Sequence, residues 1–353
     1  GWTDIYTVYA NAFANCAGIK KIILPDSITS ITASMFAGFT DLEEVVLSAE
    51  TTEIGESAFE NTGLKKITYK GYEGTDTFAL PETLTTIGEY AFKGTKLENV
   101  VLSTAAVSVG TSAFAESTVK TVTVNGENVS FGTSAFADCA ELTTVTFNAA
   151  TAKLGTSMFA NCVVLNSVTL PSGITTLGEK LFEGCLKLAT VEIPETVTTM
   201  LRTFAGSYIT SIDVPASVTT LNQTFMDCSQ LKTVTLHEGL TSFVVKVFLN
   251  CVALEEIVLP EGLTQIGSDV FSGCVNLKKV NIPSTLTKID NNAFAGCTSL
   301  GKAEKFVMPA TLTSVGGNIF DGWTAEQKVY IEAGASDVYG KWSNAKESGY
   351  SFM

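Results

Sequence analysis

Eight cysteines carry the most reactive side chains in this sequence, and each stands three residues after a phenylalanine: Cys16, Cys139, Cys162, Cys185, Cys228, Cys251, Cys274 and Cys297. The segment FSGCVNLKKVNIPSTLTKIDNNAFAGC, residues 271–297, shows the pattern twice. Spaced thiols can hold a metal, close a disulfide or supply a nucleophile. The occupants of the equivalent position elsewhere argue for a blander use. Four coils one residue shorter place Thr62, Thr95, Ser117 and Ser207 there, and two longer ones place Phe39 and Trp323. No metal site tolerates Phe, whereas a packing slot accepts Cys as a small hydrophobe. Stacked coils would bring neighbouring cysteine α-carbons within about 5 Å, inside disulfide range. Parallel side chains suit the S–S torsion poorly, however, and the three-cysteine run and the isolated Cys16 leave thiols over. The expectation is free, buried thiols.

Other chemistry is sparse. The one histidine, His237, stands where other coils end their strand with Pro, and is expected at the surface. A single His removes multi-His metal sites and disfavours a Ser-His-Asp arrangement. Cys-x-x-Cys, G-x-S-x-G, G-x-G-x-x-G, Walker A and EF-hand patterns are absent. Carboxylates are numerous but scattered over repeat positions, and nothing singles out a hydrolase-like acid pair. No cofactor is expected, and the chain reads as a non-enzyme.

The bulk numbers agree. A net charge of −14 and a pI near 4.6 disfavour nucleic acid and anionic membrane surfaces. With 45% hydrophobic and 16% charged residues, the chain is built to fold around a large core. No run of about 18 apolar residues reads as a spanning helix, so no membrane insertion is expected. The sequence starts at Gly1, with Val8 where a mid-repeat Ile belongs and Trp2 ready to cover the end. It therefore reads as entering mid-coil, with upstream signal and anchor segments removed.

What positions the cysteines is a repeat. Phenylalanines recur at 13, 36, 59, 92, 114, 136, 159, 182, 204, 225, 248, 271, 294 and 320, mostly 22 or 23 residues apart. The unit approximates L-P-x-x-L-T-x-I-G-x-x-A-F-x-G-C-x-x-L-x-x-V-x-I-P. Within LKKVNIP, residues 277–283, Val280 and Ile282 point one way and Lys279 and Asn281 the other, a strand with one buried side. Leu286 and Ile289 then turn inward, and Phe294 and Cys297 follow at a helical-turn spacing. One unit cannot bury its apolar side alone, but stacked units can. The prediction is a solenoid of about 14 coils with one continuous parallel sheet and short helical turns.

This pattern resembles the BspA-like leucine-rich repeat of bacterial and protist surface proteins, and LPSGITTLGEKLFEGCLKLATVEIP, residues 170–194, is an almost complete instance. The resemblance covers nearly the whole chain. It implies a leucine-rich repeat solenoid, a β-rich α/β horseshoe or arc, in an extracellular or cell-surface setting with adhesion-type binding. It supplies no catalytic residues.

Sites on rigid scaffolds gather where a repeat is interrupted. KGYEGTDTFA, residues 70–79, adds about ten residues and offers Tyr72, Glu73, Asp76 and Phe78 beside Tyr69. Near the other end, residues 300–309 gain three residues before their strand. A last strand is expected around 329–331, followed by a capping helix with Ser336 as N-cap, Asp337 in its first turn, and Tyr339 and Trp342 on one face. The expected organisation is a solenoid over 1–320 and a terminal strand and cap over 321–353. The outward strand column includes Thr68, Thr123, Thr146, Thr169, Glu192, Asp213 and Thr235 and lacks aromatic rings. Such a face suits flat contact with a protein or polysaccharide on another surface. The competing expectation is a stalk that displays another domain.

Overall fold

A computed structural model of the chain describes residues 18–103, 106–332 and 351–352. It is a parallel-sheet leucine-rich repeat solenoid of about 13 coils. Cys16, Trp2, Val8 and Phe13, and the capping segment with Ser336, Asp337, Tyr339 and Trp342, lie outside the described residues. The chain divides into two compact units, Gly1–Ile174 with Gly178–Lys187 and Thr175–Leu177 with Leu188–Met353.

In the first unit each coil contributes to two parallel ladders. One joins Lys21–Ile23, Glu44–Leu47 and Lys66–Tyr69, and then Asn99–Leu102, Thr121–Val124, Thr144–Phe147 and Ser167–Thr169. These strands alternate as the sequence pattern requires, with Val45, Ile67, Val122 and Val145 buried. The other ladder runs without interruption from Ser30–Ile31 through Glu53–Ile54, Thr86–Ile87, Ser108–Val109 and Val129–Phe131 to Ala152–Lys153. This second ladder is built from the L-T-x-I stretch, which the sequence pattern marks only as inward-facing. Its threonines help to hold it: Thr52 and Thr85 donate their hydroxyls to the carbonyls of Thr29 and Thr52. The glycine after the Ile is forced by the close approach of the next coil. A β-carbon on Gly155 would stand 2.1 Å from the carbonyl oxygen of Gly132.

The second unit repeats the scheme. Thr220–Leu221, Ser242–Val245, Gln265–Ser268, Lys288–Ile289 and Ser314–Val315 form one ladder. The other is broken into Ser211–Asp213 with Thr233–Thr235, Glu256–Val258 with Lys279–Asn281, and Phe306–Met308 with Lys328–Ile331 and Ser351–Phe352. The three extra residues before Phe306 coincide with the last of these breaks. Lys328–Ile331 occupies the position expected for the terminal strand.

The expected single continuous sheet is therefore two interrupted sets of ladders, and the expected helical turns are absent: no helix occurs among the described residues. The phenylalanine turns show why. Residues two before and two after each phenylalanine have positive φ, as at Asp269 (58°) and Gly273 (75°) around Phe271. A right-handed helix cannot contain that alternation. Instead, every second amide reaches the next coil. Asp269, Phe271 and Gly273 donate to the carbonyls of Asn291, Ala293 and Ala295 at 3.0, 2.8 and 2.8 Å. The position two residues past the stacked phenylalanine is Gly, Asn or Asp in every described coil but one, Glu116. Those are the residues that best accept left-handed backbone.

The phenylalanines themselves form the core. Their rings stack coil on coil at 4.9–6.0 Å from Phe36 to Phe182, and at 5.3–6.4 Å from Phe204 to Phe320. Offset stacking of buried rings adds to the area they remove from water.

Candidate functional site

The cysteine column is structural. Cys139, Cys162 and Cys185 in the first unit and Cys228, Cys251, Cys274 and Cys297 in the second are buried free thiols. Each donates its S–H to the carbonyl of the phenylalanine one coil earlier, at 3.0–3.3 Å; Cys274, for example, bonds Phe248 at 3.1 Å. Burial pushes the thiols up, Cys139 to about 11 and Cys185, Cys228 and Cys274 to about 12. A thiol held neutral in this way is neither a nucleophile nor a metal ligand. Apart from Phe39, which fills the slot with an apolar ring, the same slot keeps a donor when it changes residue. Thr62, Thr95 and Ser117 donate to the carbonyl of their own coil's phenylalanine at 2.9, 2.8 and 2.6 Å. Trp323 donates its indole N–H to Phe294 at 2.9 Å. Sequence reasoning read this slot as volume alone. That Cys, Ser, Thr and Trp, every occupant but Phe39, carry a hydrogen to give was the signal for the rest.

The insertion at 70–79 breaks one ladder and leaves the other intact. Lys66–Tyr69 does not pair with Asn99–Leu102; Ile67 bridges instead to Phe78 in parallel fashion. Ile67 receives its hydrogen bond partner from Thr77, whose carbonyl accepts its N–H at 2.8 Å, and Ala79 donates back to Ile67 at 2.9 Å. Lys70 is tied to Asp26 at 2.7 Å, and Tyr72 turns back to the carbonyl of Tyr69 across Gly71, whose φ is 83°. Phe78 had been expected as a contact residue of this loop. It is buried, edge-on to Phe92 and Phe114 with centroids 6.0 Å away, because a ring set beside the phenylalanine stack gains more by joining it than by facing water. It anchors the insertion. Thr68, expected on the outward column, is likewise covered, at 7% exposure.

Where the ladder parts, a pocket of about 450 Å³ opens. Tyr69, Tyr72 and Asp76 line it from the insertion side, Phe78 and Leu84 from the core, and Val101 from the strand beyond. The Tyr69 and Tyr72 rings lie 5.5 Å apart, tilted by 53°. The Tyr72 hydroxyl donates to the Asp76 carboxylate, and that bond pushes the phenol above its usual range. Glu82 also lines the pocket, and sequence reasoning missed it. It follows a strand-ending Pro, as Glu195 and Glu261 do in other coils, so its residue type carried no distinguishing signal. Glu73 is exposed and is not part of the lining.

The outward column is described in two pieces. Thr123, Thr146 and Thr169 stand in parallel register in the first unit. In the second, Asp213 pairs with Thr235, while Glu192 is exposed on a stretch without strand pairing. His237 lies at the surface, its Nε2 2.7 Å from the Asp213 carboxylate. Among the described residues, no group of His, Cys, Asp and Glu is arranged to hold a metal ion, and no helix is long and apolar enough to cross a membrane.

Two solved structures share this fold. A leucine-rich repeat protein from Bacteroides ovatus superposes with a TM-score of 0.70 at 21% identity, over 98% of this chain and 86% of that one. A leucine-rich repeat protein from Eubacterium ventriosum gives 0.56 at 21% identity, over 86% and 83%. No curated protein matches the chain. The BspA type leucine-rich repeat region matches over residues 3–73, 72–189, 152–276 and 201–327, which take in the Phe-x-Gly-Cys turns, both ladders and the insertion. The chain belongs to the BspA-type leucine-rich repeat family.

Proposed function

We propose that this chain is a non-enzymatic binding module, secreted or held at a cell surface, that contacts a protein or a glycan. Contact is made through the outward strand face and the 70–79 insertion. The observation that carries the reading is the insertion itself. Most of the coils repeat one plan closely, and this one departs from it by about ten residues to seat two tyrosines and a carboxylate around an open pocket. Solenoids present extended surfaces of this kind to partners. The absence of catalysis in this reading rests on the thiols, which burial holds neutral and bonded to backbone. Adhesion and surface display extend what the repeat family suggests.

The test is capture of proteins and glycans from a panel by the intact chain and by a variant whose residues 70–79 are replaced with a short Gly-Ser link. Loss of capture on replacement is expected. Unchanged capture would exonerate the insertion, and no capture by the intact chain would favour a stalk that displays another domain.

A further inference from the structure

We propose that the pocket beside the insertion receives a cationic side chain, a lysine or arginine presented by a partner protein. This rests on the reading of the 70–79 insertion as a contact site and names its ligand. Three observations carry it.

The first is charge. The lining includes the carboxylates of Asp76 and Glu82 and no Lys, Arg or His. The nearest cation on the insertion, Lys70, is held by Asp26 at 2.7 Å. Two carboxylates without a countercharge in a pocket of mixed polar and apolar lining match an ammonium or guanidinium, which offers only donors.

The second is the hydrogen-bond balance. The Tyr72 hydroxyl gives its hydrogen to Asp76, which leaves the pocket with acceptors and few side-chain donors. A saccharide presents hydroxyls that both give and take, and would leave its own acceptors poorly matched here. The tyrosines also do not form the flat platform that a sugar ring stacks on, since they lean together at 53°.

The third is the pairing of aromatic with aliphatic side chains. Tyr69 and Tyr72 line the pocket together with Phe78, Leu84 and Val101. A lysine stem is apolar and its head is drawn to an aromatic face. This chain uses that contact on itself, with Lys93 5.7 Å from the Tyr90 centroid and Lys305 5.1 Å from that of Tyr330. Among the described residues no lysine sits over Tyr69 or Tyr72 in this way.

The experiment is an amide NMR titration of the intact chain with Nα-acetyl-lysine methylamide, Nα-acetyl-norleucine methylamide and cellobiose as probes. The lysine probe is expected to give saturable shifts confined to residues 69–84, 101–103 and 107, and the uncharged norleucine probe none. Asp76→Asn and Glu82→Gln should each weaken the lysine probe about fivefold, while Glu195→Gln, an equal change in net charge elsewhere, should leave it unchanged. Equal weakening by all three would reduce the effect to general acidity and overturn the proposal, as would norleucine binding as well as lysine. Shifts at the same amides with cellobiose alone would also overturn the cationic assignment, yet would keep the insertion as a contact site. That site fails separately, through unchanged capture after replacement of 70–79.

Discussion

Trp323 donates its indole N–H to the carbonyl of Phe294 at 2.9 Å, and so makes with a large ring the bond that Cys274 makes to Phe248 with a thiol at 3.1 Å. The slot three residues past the phenylalanine therefore carries a donor as well as volume in every described coil except that of Phe39. The Phe248 carbonyl also accepts the N–H of Cys251 at 3.1 Å, so the thiol satisfies its second lone pair. Cys274→Val keeps the volume and removes the donor, at an expected cost of about 0.5–1 kcal/mol. Cys274→Ala adds a cavity and should cost about 1–2 kcal/mol. Urea unfolding of the two variants checks this; a valine variant as stable as the parent would reduce the slot to packing.

The same thiols make stability fall at alkaline pH. Burial holds Cys185, Cys228 and Cys274 near 12, against an ordinary value of 9.0. A group whose folded pKa is raised contributes stability that is whole below its unfolded pKa and is lost as pH climbs toward the folded one. The window is therefore about pH 9 to 12, where the unfolded chain releases protons that the folded chain keeps. Each thiol can contribute up to about 1.4 kcal/mol per pH unit there. Urea midpoints between pH 7 and 10.5 should stay level and then drop, with a shallower drop for Cys274→Ala than for the parent. A thiol-specific disulfide reagent at pH 8 should find the seven described cysteines of the folded chain nearly inert and the denatured, unreduced chain reactive at all eight cysteines.

Backbone handedness sorts the glycines into two kinds. Gly38 has a φ of 71° and open space around a would-be β-carbon. Gly38→Ala should cost about 1 kcal/mol for the left-handed backbone alone, and Gly38→Asn less, because Asn161 and Asn250 hold the equivalent position at 58°. Gly267 is different: its β-carbon would fall 1.6 Å from the carbonyl oxygen of Val244. Neither Ala nor Asn fits there without parting the coils. Thermal melts should show Gly38→Asn close to the parent and Gly267→Asn strongly destabilised. Equal effects would mean that coil spacing does not depend on the second glycine.

The register of the solenoid was legible in the sequence because a phenylalanine and an alternating apolar pattern recur from coil to coil and bury themselves in the same way. The turn conformation was not read, although its signal was present. Phe294 and Cys297 at i and i+3 suggest a helix to a reading based on side-chain direction, while Gly, Asn and Asp two residues past each phenylalanine speak for left-handed backbone. Side-chain spacing was given the greater weight, and the inter-coil amide bonds of Phe271 and its neighbours decide otherwise. The second ladder was hidden by its length, since strands such as Glu53–Ile54 span two residues and display no period. The insertion announced itself by length, and Tyr69, Tyr72 and Asp76 do meet in one pocket. Phe78 did not declare its inward turn, because only the neighbouring stack of Phe92 and Phe114 gives it somewhere better to go.

That inward turn makes Phe78 the residue on which the candidate site depends. Its ring is 2% exposed and lies beside the stacked pair Phe92 and Phe114, edge-on to both. Around it, the insertion holds to the solenoid through the Ile67 bridge and the Lys70–Asp26 ion pair, which is exposed and worth little on its own. Phe78→Ala should therefore cost about 3 kcal/mol by the cavity it leaves. Its larger effect is local, since the bridge at Ile67 then carries the insertion with no buried anchor behind it. Limited digestion with trypsin should cut after Lys70 much faster in Phe78→Ala than in the parent, while cleavage at a lysine of the uninterrupted ladder of the same unit, Lys153, stays unchanged. If cleavage rose equally at both, the ring would be holding the whole unit rather than the site.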